Sequence, residues 1–321
     1  MNYSPILIVA GEPNSIFSEI FFKTIKKIKI KKPVILIASK KLIELQMRKL
    51  KFNIKIRTLN KNELLISKLD NKSINLIDVN FKTSKAFSKI SIKSNKYIEN
   101  CFDIAFYIIK KNNIKNLITG PISKKTFLNK KYLGLTEYIS KKFKVKHSAM
   151  LIYNERLSVS PVTTHLPLKF VPKKINKNLI VERVKLLNDF YKKKLKKVPK
   201  IAILGLNPHC ESVDKFNEDE RILKPTIKYL KKRNFKVFGP FPADTIFLKK
   251  NMKKYNVILG MYHDQVLTPI KALFEYDAIN ITVGLPFIRI APDHGPNETM
   301  LGKNISNPLS LIKAISFLDK C

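Results

Sequence analysis

Three of the five histidines in this chain follow short apolar runs of the kind that form β-strands. The runs, rich in Val, Ile and Leu, end just before His165, His209 and His263. Ligands of open α/β sheets collect at the carboxyl ends of strands, and imidazole is the commonest protein ligand for divalent metals near neutral pH. Three such ends meeting in one place would supply three nitrogens and leave positions open for substrate, as catalytic metal sites require. The shared context favours a metal site over three unrelated loop histidines.

These histidines need a scaffold that gathers strand ends, and the rest of the chain predicts one. Short β-branched runs, such as 6–10, 34–38 and 116–119, alternate with longer Lys-rich stretches of helical period, such as 179–197. This alternation predicts βαβ units and a mostly parallel sheet of the α/β class. Further strands are predicted at 157–163, 200–204, 236–238, 257–259 and 278–283, further helices at 18–27, 97–111 and 218–233, and loop-rich connections at 45–61 and 170–178.

Charge and length bound the class of protein. The 321 residues allow two domains of ordinary size, and the net charge of +38 is typical of nucleic-acid binding. However, the excess is almost entirely Lys spread along the chain, with only seven Arg, whereas base and phosphate recognition favours the Arg fork. Drift toward A/T-rich codons, which also explains the abundant Ile and Asn, is favoured over a binding surface.

The cysteines and the apolar runs indicate where the protein works. Cys101, Cys210 and Cys321 form neither a CxxC pair nor a disulfide framework, which favours a reducing compartment. The chain shows no signal peptide and no apolar run long enough to span a bilayer, so we expect a cytoplasmic protein without membrane contact. Cys210 directly follows His209 and is either a soft metal ligand or a bystander on the loop.

Several motifs after the predicted strands are highly specific. In chain order they read TTHLPL, GLNPH, GPFPADT, MYHDQ and GLPFIR. From Gly11 to Pro308 the chain resembles the 4-hydroxythreonine-4-phosphate dehydrogenase family of vitamin B6 synthesis. The resemblance implies two α/β/α domains like those of isocitrate and isopropylmalate dehydrogenases, with a cleft between them. It implies domains at 1–125 plus about 265–321 and at about 126–264, and a homodimer whose subunits share each active site.

The resemblance also implies roles for individual residues. The family's metal ligands are matched by His165, His209 and His263, and its substrate contacts by Thr136, Lys271, Asn280 and Arg289. The segment 293–308 resembles the adenine-side loop of isopropylmalate-type dehydrogenases, and its candidates for binding NAD or NADP are His294, Gly295, Gly302 and Asn307. A GxGxxG fingerprint is absent, so no Rossmann-type dinucleotide site is expected.

The residue types agree with the chemistry implied. A zinc, magnesium or cobalt ion on three imidazoles would act as a Lewis acid on a secondary alcohol from which hydride leaves. Lys271, Asn280 and Arg289 would hold a phosphate or carboxylate, although Lys271 could also be a solvated surface lysine. Lys124 and Asp244 are candidates for proton transfer or for orienting ligands, and Asp244 could equally be a turn or helix-cap residue. The implied reaction oxidises 4-phosphohydroxy-L-threonine to 2-amino-3-oxo-4-phosphooxybutanoate, which decarboxylates to 3-amino-2-oxopropyl phosphate.

Departures from the family pattern leave alternatives open. Leu135 stands where the family has a His, the stretch after His209 lacks the usual glycines, and Val266 replaces a glycine. A related dehydrogenase acting on another 3-hydroxy acid is therefore an alternative. A decayed, basic relative that binds nucleic acid is a second. The intact histidines and the Lys–Asn–Arg set favour a working enzyme without nucleic-acid partners.

Overall fold

The computed structural model describes residues 4–128, 132, 134–213, 216–292 and 294–320. The chain forms two compact units, Met1–Leu135 with Pro286–Cys321, and Thr136–Leu285. Residues 265–285, which are predicted from the sequence to belong to the first domain, pack within the second unit. The domain ranges stay a prediction. Within the described part of the chain, no helix has both the length and the apolar character needed to cross a bilayer.

The first unit is built on a wholly parallel sheet in the order β3-β4-β2-β1-β5-β12. Every residue of the central strand from Ile6 to Val9 is fully buried. Since successive side chains point to opposite faces, helices must cover both faces of this sheet. The elements are β1 (Ile6–Val9), α1 (Phe17–Lys27), β2 (Val34–Ala38), α2 (Lys40–Lys49), β3 (Ile56–Thr58), β4 (Ile74–Asp78), α3 (Asn95–Asn112), β5 (Asn116–Thr119), β12 (Ile288–Pro292) and α11 (Leu309–Lys320).

The second unit has a mixed sheet in the order β11-β6-β7-β10-β8-β9. Strands β7, β10, β8 and β9 are parallel neighbours, whereas β6 runs antiparallel to both β11 and β7. The elements are α4 (Leu135–Lys142), β6 (Ala149–Tyr153), β7 (Ser158–Pro161), α5 (Val171–Lys174), α6 (Lys177–Leu195), β8 (Ile201–Leu204), α7 (Lys224–Lys232), β9 (Val237–Phe241), α8 (Ala243–Ile246), α9 (Lys249–Met252), β10 (Val257–Gly260), α10 (His263–Phe274) and β11 (Ile279–Val283).

The predicted α/β class is confirmed, but two predicted loops are wrong. The segment 45–61 contains the end of α2 and strand β3, and 170–178 contains α5 and the start of α6. Helix α2 carries only a few apolar side chains, yet Leu42, Ile43 and Met47 lie on one buried face, and Ser39 caps its first turn by accepting the Leu42 N–H. Lysines on the exposed face hide this pattern from the sequence.

Candidate active site

The three candidate metal ligands follow three adjacent parallel strands. His165 comes after β7, His263 after β10 and His209 after β8, and β10 lies between the other two. The carboxyl ends of parallel neighbours lie at one edge of a sheet, so all three histidine loops leave the same edge of the second unit. Asp244 follows β9, the next strand in order, and is exposed in the first turn of α8. Because Pro242 precedes that helix at the cap position, Asp244 is not its N-cap.

Two of these histidines are brought together. The ring centres of His165 and His263 lie 5.6 Å apart, with their planes inclined by 38°. Asp264 Oδ1 lies 2.6 Å from His263 Nδ1, a carboxylate–imidazole contact. When Nδ1 donates its proton to Asp264, Nε2 keeps a lone pair, which is the form a metal requires.

His209 lies on a tightly bent loop whose backbone is held by a buried carboxylate. Both His209 and Cys210 have left-handed backbone angles, with φ of 55° and 61°. Asp219 is fully buried and accepts hydrogen bonds from the backbone N–H groups of Leu206 and Asn207, at 2.9 and 3.0 Å. Residues Gly205–Cys210 are therefore held in shape by a side chain that belongs to none of the sequence motifs. Its only signal is its place in the acidic stretch 218–220.

The structure does not gather all three histidines into one cluster. Among the described residues, no group of three or more His, Cys, Asp or Glu side chains is close enough to hold an ion. His209 itself is exposed, and the metal triad stays a prediction. Burial raises the pKa of the neighbouring Cys210 thiol to about 11, so this thiol is protonated at pH 7 when no metal is bound.

Three of the predicted substrate contacts also lie in the second unit. Thr136 Oγ1 and Thr282 Oγ1 are hydrogen-bonded at 3.3 Å, and Thr282 lies on the same face of β11 as Asn280 because side chains alternate along a strand. Asn280 Oδ1 is buried and has no hydrogen-bond partner among the described residues. Lys271 lies on α10, roughly 12 Å along the helix axis from His263. It is half-buried, and desolvation lowers its pKa.

In the first unit, the loops after β1 and β5 are in very close contact. A Cβ on Gly11 would lie 2.3 Å from the Pro121 carbonyl oxygen, and one on Gly120 would lie 2.1 Å from that of Ala10. Glu12 lies in this contact, and its backbone N–H donates to the Pro121 carbonyl oxygen at 2.8 Å. The residue is 2% exposed, and burial raises the pKa of its carboxyl group. Lys124, in a helical turn beyond β5, is exposed.

Arg289, the remaining predicted substrate contact, is deeply buried in the first unit. It lies on β12 beside β5 and is 3% exposed. Its Nε and Nη2 donate hydrogen bonds to Thr119 Oγ1, at 3.1 and 2.7 Å. A buried guanidinium beside a strand end is suited to bind a carboxylate or phosphate.

The candidate cofactor residues lie between β12 and α11. Burial lowers the pKa of His294 to about 4, so its imidazole is neutral at pH 7. Its Nε2 is buried with no hydrogen-bond partner in the part of the chain that the structure describes. A Cβ added at Gly295 would meet open space, whereas one added at Gly302, which has a φ of +70°, would lie 3.3 Å from the Phe87 ring. Asn307 Oδ1 accepts the Leu309 N–H at the start of α11. Asp293 lies outside the described residues.

Comparison with known proteins decides the family. Residues 29–318 match the family described as pyridoxal phosphate biosynthetic protein PdxA. The 4-hydroxythreonine-4-phosphate dehydrogenase of Sulfurihydrogenibium sp. (strain YO3AOP1) is 36% identical over 316 residues, which cover 97% of this chain and 96% of that protein. The chain belongs to this family.

A solved structure has a similar fold, and one relative is named for a different substrate. The crystal structure of 4-hydroxythreonine-4-phosphate dehydrogenase from Klebsiella pneumoniae matches with a TM-score of 0.84 at 25% identity, covering 98% of this chain and 97% of that one. A D-threonate 4-phosphate dehydrogenase from Pectobacterium atrosepticum is 33% identical over 203 residues, covering 60% of this chain and 62% of that protein. These relatives are both named as dehydrogenases, but for different phosphorylated substrates.

Proposed function

We propose that this protein oxidises 4-phosphohydroxy-L-threonine with NAD or NADP in vitamin B6 biosynthesis, and that its oxidised product decarboxylates to 3-amino-2-oxopropyl phosphate. Family membership supports this activity. We assign the metal site to His165, His263 and His209 because they follow three adjacent parallel strands. Family membership also favours the enzyme over a nucleic-acid-binding relative.

The residues after these strands fit a divalent metal. With metal–nitrogen bonds of about 2.1 Å, two imidazoles on a tetrahedral ion have ring centres roughly 5 Å apart, close to the 5.6 Å between His165 and His263. Asp264 would hold the proton of His263 on Nδ1, away from the coordinating nitrogen. His209 is the third proposed ligand. When bound, the metal would polarise the substrate alcohol as a Lewis acid.

The chain's own side chains would bind and orient the substrate. Burial lowers the pKa of Lys271, and a phosphate beside it would stabilise its charged form. Asn280 and Thr136 would add hydrogen bonds, and the free Asn280 Oδ1 suits a donor such as the substrate amino group. Arg289 is a further proposed anion-binding residue. Lys124 and Asp244 remain candidates for proton transfer.

The loop between β12 and α11 fits the nicotinamide cofactor. The neutral His294 offers an unused ring nitrogen, and the open space at Gly295 allows a ligand to approach the backbone. The proposal includes a homodimer with shared active sites, which the family resemblance supports.

A single assay tests the activity. Purified protein is incubated with NAD or NADP and 4-phosphohydroxy-L-threonine, with and without added zinc, magnesium or cobalt, and cofactor reduction is followed by absorbance. D-Threonate 4-phosphate serves as the competing substrate because a relative is named for it. A larger kcat/KM on 4-phosphohydroxy-L-threonine supports the proposal. Preference for D-threonate 4-phosphate would assign the alternative, and no reduction with either would refute both.

A further inference from the structure

Two charged side chains of α1 hold the segment that joins Gly302 to Asn307. Lys23 Nζ donates to Glu19 Oε1 at 2.8 Å, to the Asn304 carbonyl oxygen at 2.9 Å and to the Ser306 carbonyl oxygen at 3.0 Å. Glu19 Oε1 also accepts the backbone N–H of Ser306 at 2.5 Å. The three donors of the ammonium group are thus all used, two of them on this segment.

Burial makes these bonds more than a surface ion pair. Glu19 and Lys23 side chains are 1% and 17% exposed. A buried charge is strongly disfavoured unless it is paired and hydrogen-bonded, so the pair and the backbone groups of the segment depend on one another. Removing the ammonium would leave Glu19 without its counter-ion and two carbonyl groups without their donor.

The segment has no regular structure of its own that could fix it. It lies between a short helical turn, Glu298–Met300, and α11. Gly302 and Asn304 both have left-handed backbone angles, with φ of 70° and 57°. Such a segment needs outside contacts to hold one conformation, and α1 provides them.

We propose that Glu19 and Lys23 are positioning residues that hold the cofactor-side loop in its binding conformation. The pair thereby sets the affinity for the dinucleotide while taking no part in hydride transfer. This inference rests on the proposed function, because it requires that the loop bind NAD or NADP. In this proposal the two side chains do not contact the cofactor, and they affect its binding through their hydrogen bonds to the backbone of residues 304–306.

The test compares Lys23→Met with Lys27→Met, a matched control at an exposed lysine of the same helix. Steady-state kinetics on the full-length protein give KM for the cofactor, KM for 4-phosphohydroxy-L-threonine and kcat. Hydrogen exchange of the Ser306 amide is followed in the unliganded protein. We expect Lys23→Met to raise the cofactor KM about tenfold, with kcat and the substrate KM within about twofold, and to accelerate Ser306 exchange. Two lost bonds to a charged donor are sufficient for a change of this size.

Two further variants separate positioning from general damage. Lys23→Arg keeps the charge and should recover part of the cofactor affinity, whereas Glu19→Gln keeps an acceptor for Ser306 and should weaken cofactor binding less than Lys23→Met. Faster Ser306 exchange with an unchanged cofactor KM would overturn the inference. So would an equal rise in both KM values together with a lower melting temperature. Absence of cofactor reduction by the wild-type protein would instead refute the proposed function, whereas the exchange result would still report whether the pair anchors the loop.

Discussion

The imidazole rings of His165 and His263 lie 5.6 Å apart within one chain, although His165 lies in the loop after β7 and His263 is the first residue of α10. The strands before them, β7 and β10, are parallel neighbours with Val159 paired to Ile258. This pairing fixes the two loops at the same sheet edge. The two residues are therefore available to one metal ion from one subunit.

Mixed dimers test this assignment. Each of the variants His165→Ala and His263→Ala lacks a ligand in its own chain, so mixing the two should restore no activity. Subunit exchange is verified with differently tagged chains, and an exchanged wild-type and variant pair serves as the positive control. Recovery of turnover in the mixed dimers would show instead that each active site takes His165 from one subunit and His263 from the other.

A substitution of His209 tests whether activity depends on a metal. Among the described residues, His209 does not form a cluster with His165 and His263. His209→Ala should lower kcat/KM more than about a hundredfold, since even partners of metal ligands contribute 10–100-fold. Its unfolding free energy should change by less than about 0.5 kcal/mol because the side chain is exposed. His147→Ala is the control, because His147 is 60% exposed and contacts Glu182 rather than the candidate site. Full activity of either the wild-type protein after complete chelation or the His209→Ala variant would contradict the assignment.

Leu135 is the first residue of α4. A substitution at this position tests whether the site binds a phosphorylated substrate. Leu135→His adds a donor, and a hydrogen bond to a charged group contributes about 1.5–3 kcal/mol. We expect kcat/KM on 4-phosphohydroxy-L-threonine to rise roughly ten- to a hundredfold, chiefly through KM. If the site binds an unphosphorylated hydroxy acid instead, the same change should weaken catalysis. A variant that is neutral on every substrate would show that position 135 does not face the ligand.

The buried carboxyl group of Glu12 should make the free energy of unfolding depend on pH. Because burial raises its pKa in the folded protein, the ionised carboxylate is disfavoured there relative to the unfolded chain. The wild-type protein therefore loses stability as pH rises from about 4.5 through the raised pKa, and Glu12→Gln removes this loss. We expect the variant to be relatively more stable at pH 8 than at pH 4.5, measured by urea unfolding. A stability difference that does not change between these pH values would show that Glu12 is not desolvated in solution.

Local composition and motifs are sufficient to predict the α/β class, the family and the strand ends that bear the histidines. Apolar β-branched runs before His165, His209 and His263 depend on local composition, and the structure places strands in all three. Strand order, however, depends on pairing between distant segments. Only the fold places β10 between β7 and β8, and only the fold places His165 beside His263 while leaving His209 exposed.

Only the tertiary structure identifies the residues that hold the loops. Asp219 lies in an acidic stretch and Lys23 begins a basic one, and such stretches are typical of solvated surfaces in so charged a chain. Glu19 is a single charged residue in the apolar run 16–22, where no motif marks it. Each of the three residues acts through backbone groups of a segment that is distant or separated by a turn, and such bonds leave no pattern of spacing in the sequence. Composition can show that a charge is present, but burial and the available partners decide whether it holds the structure together.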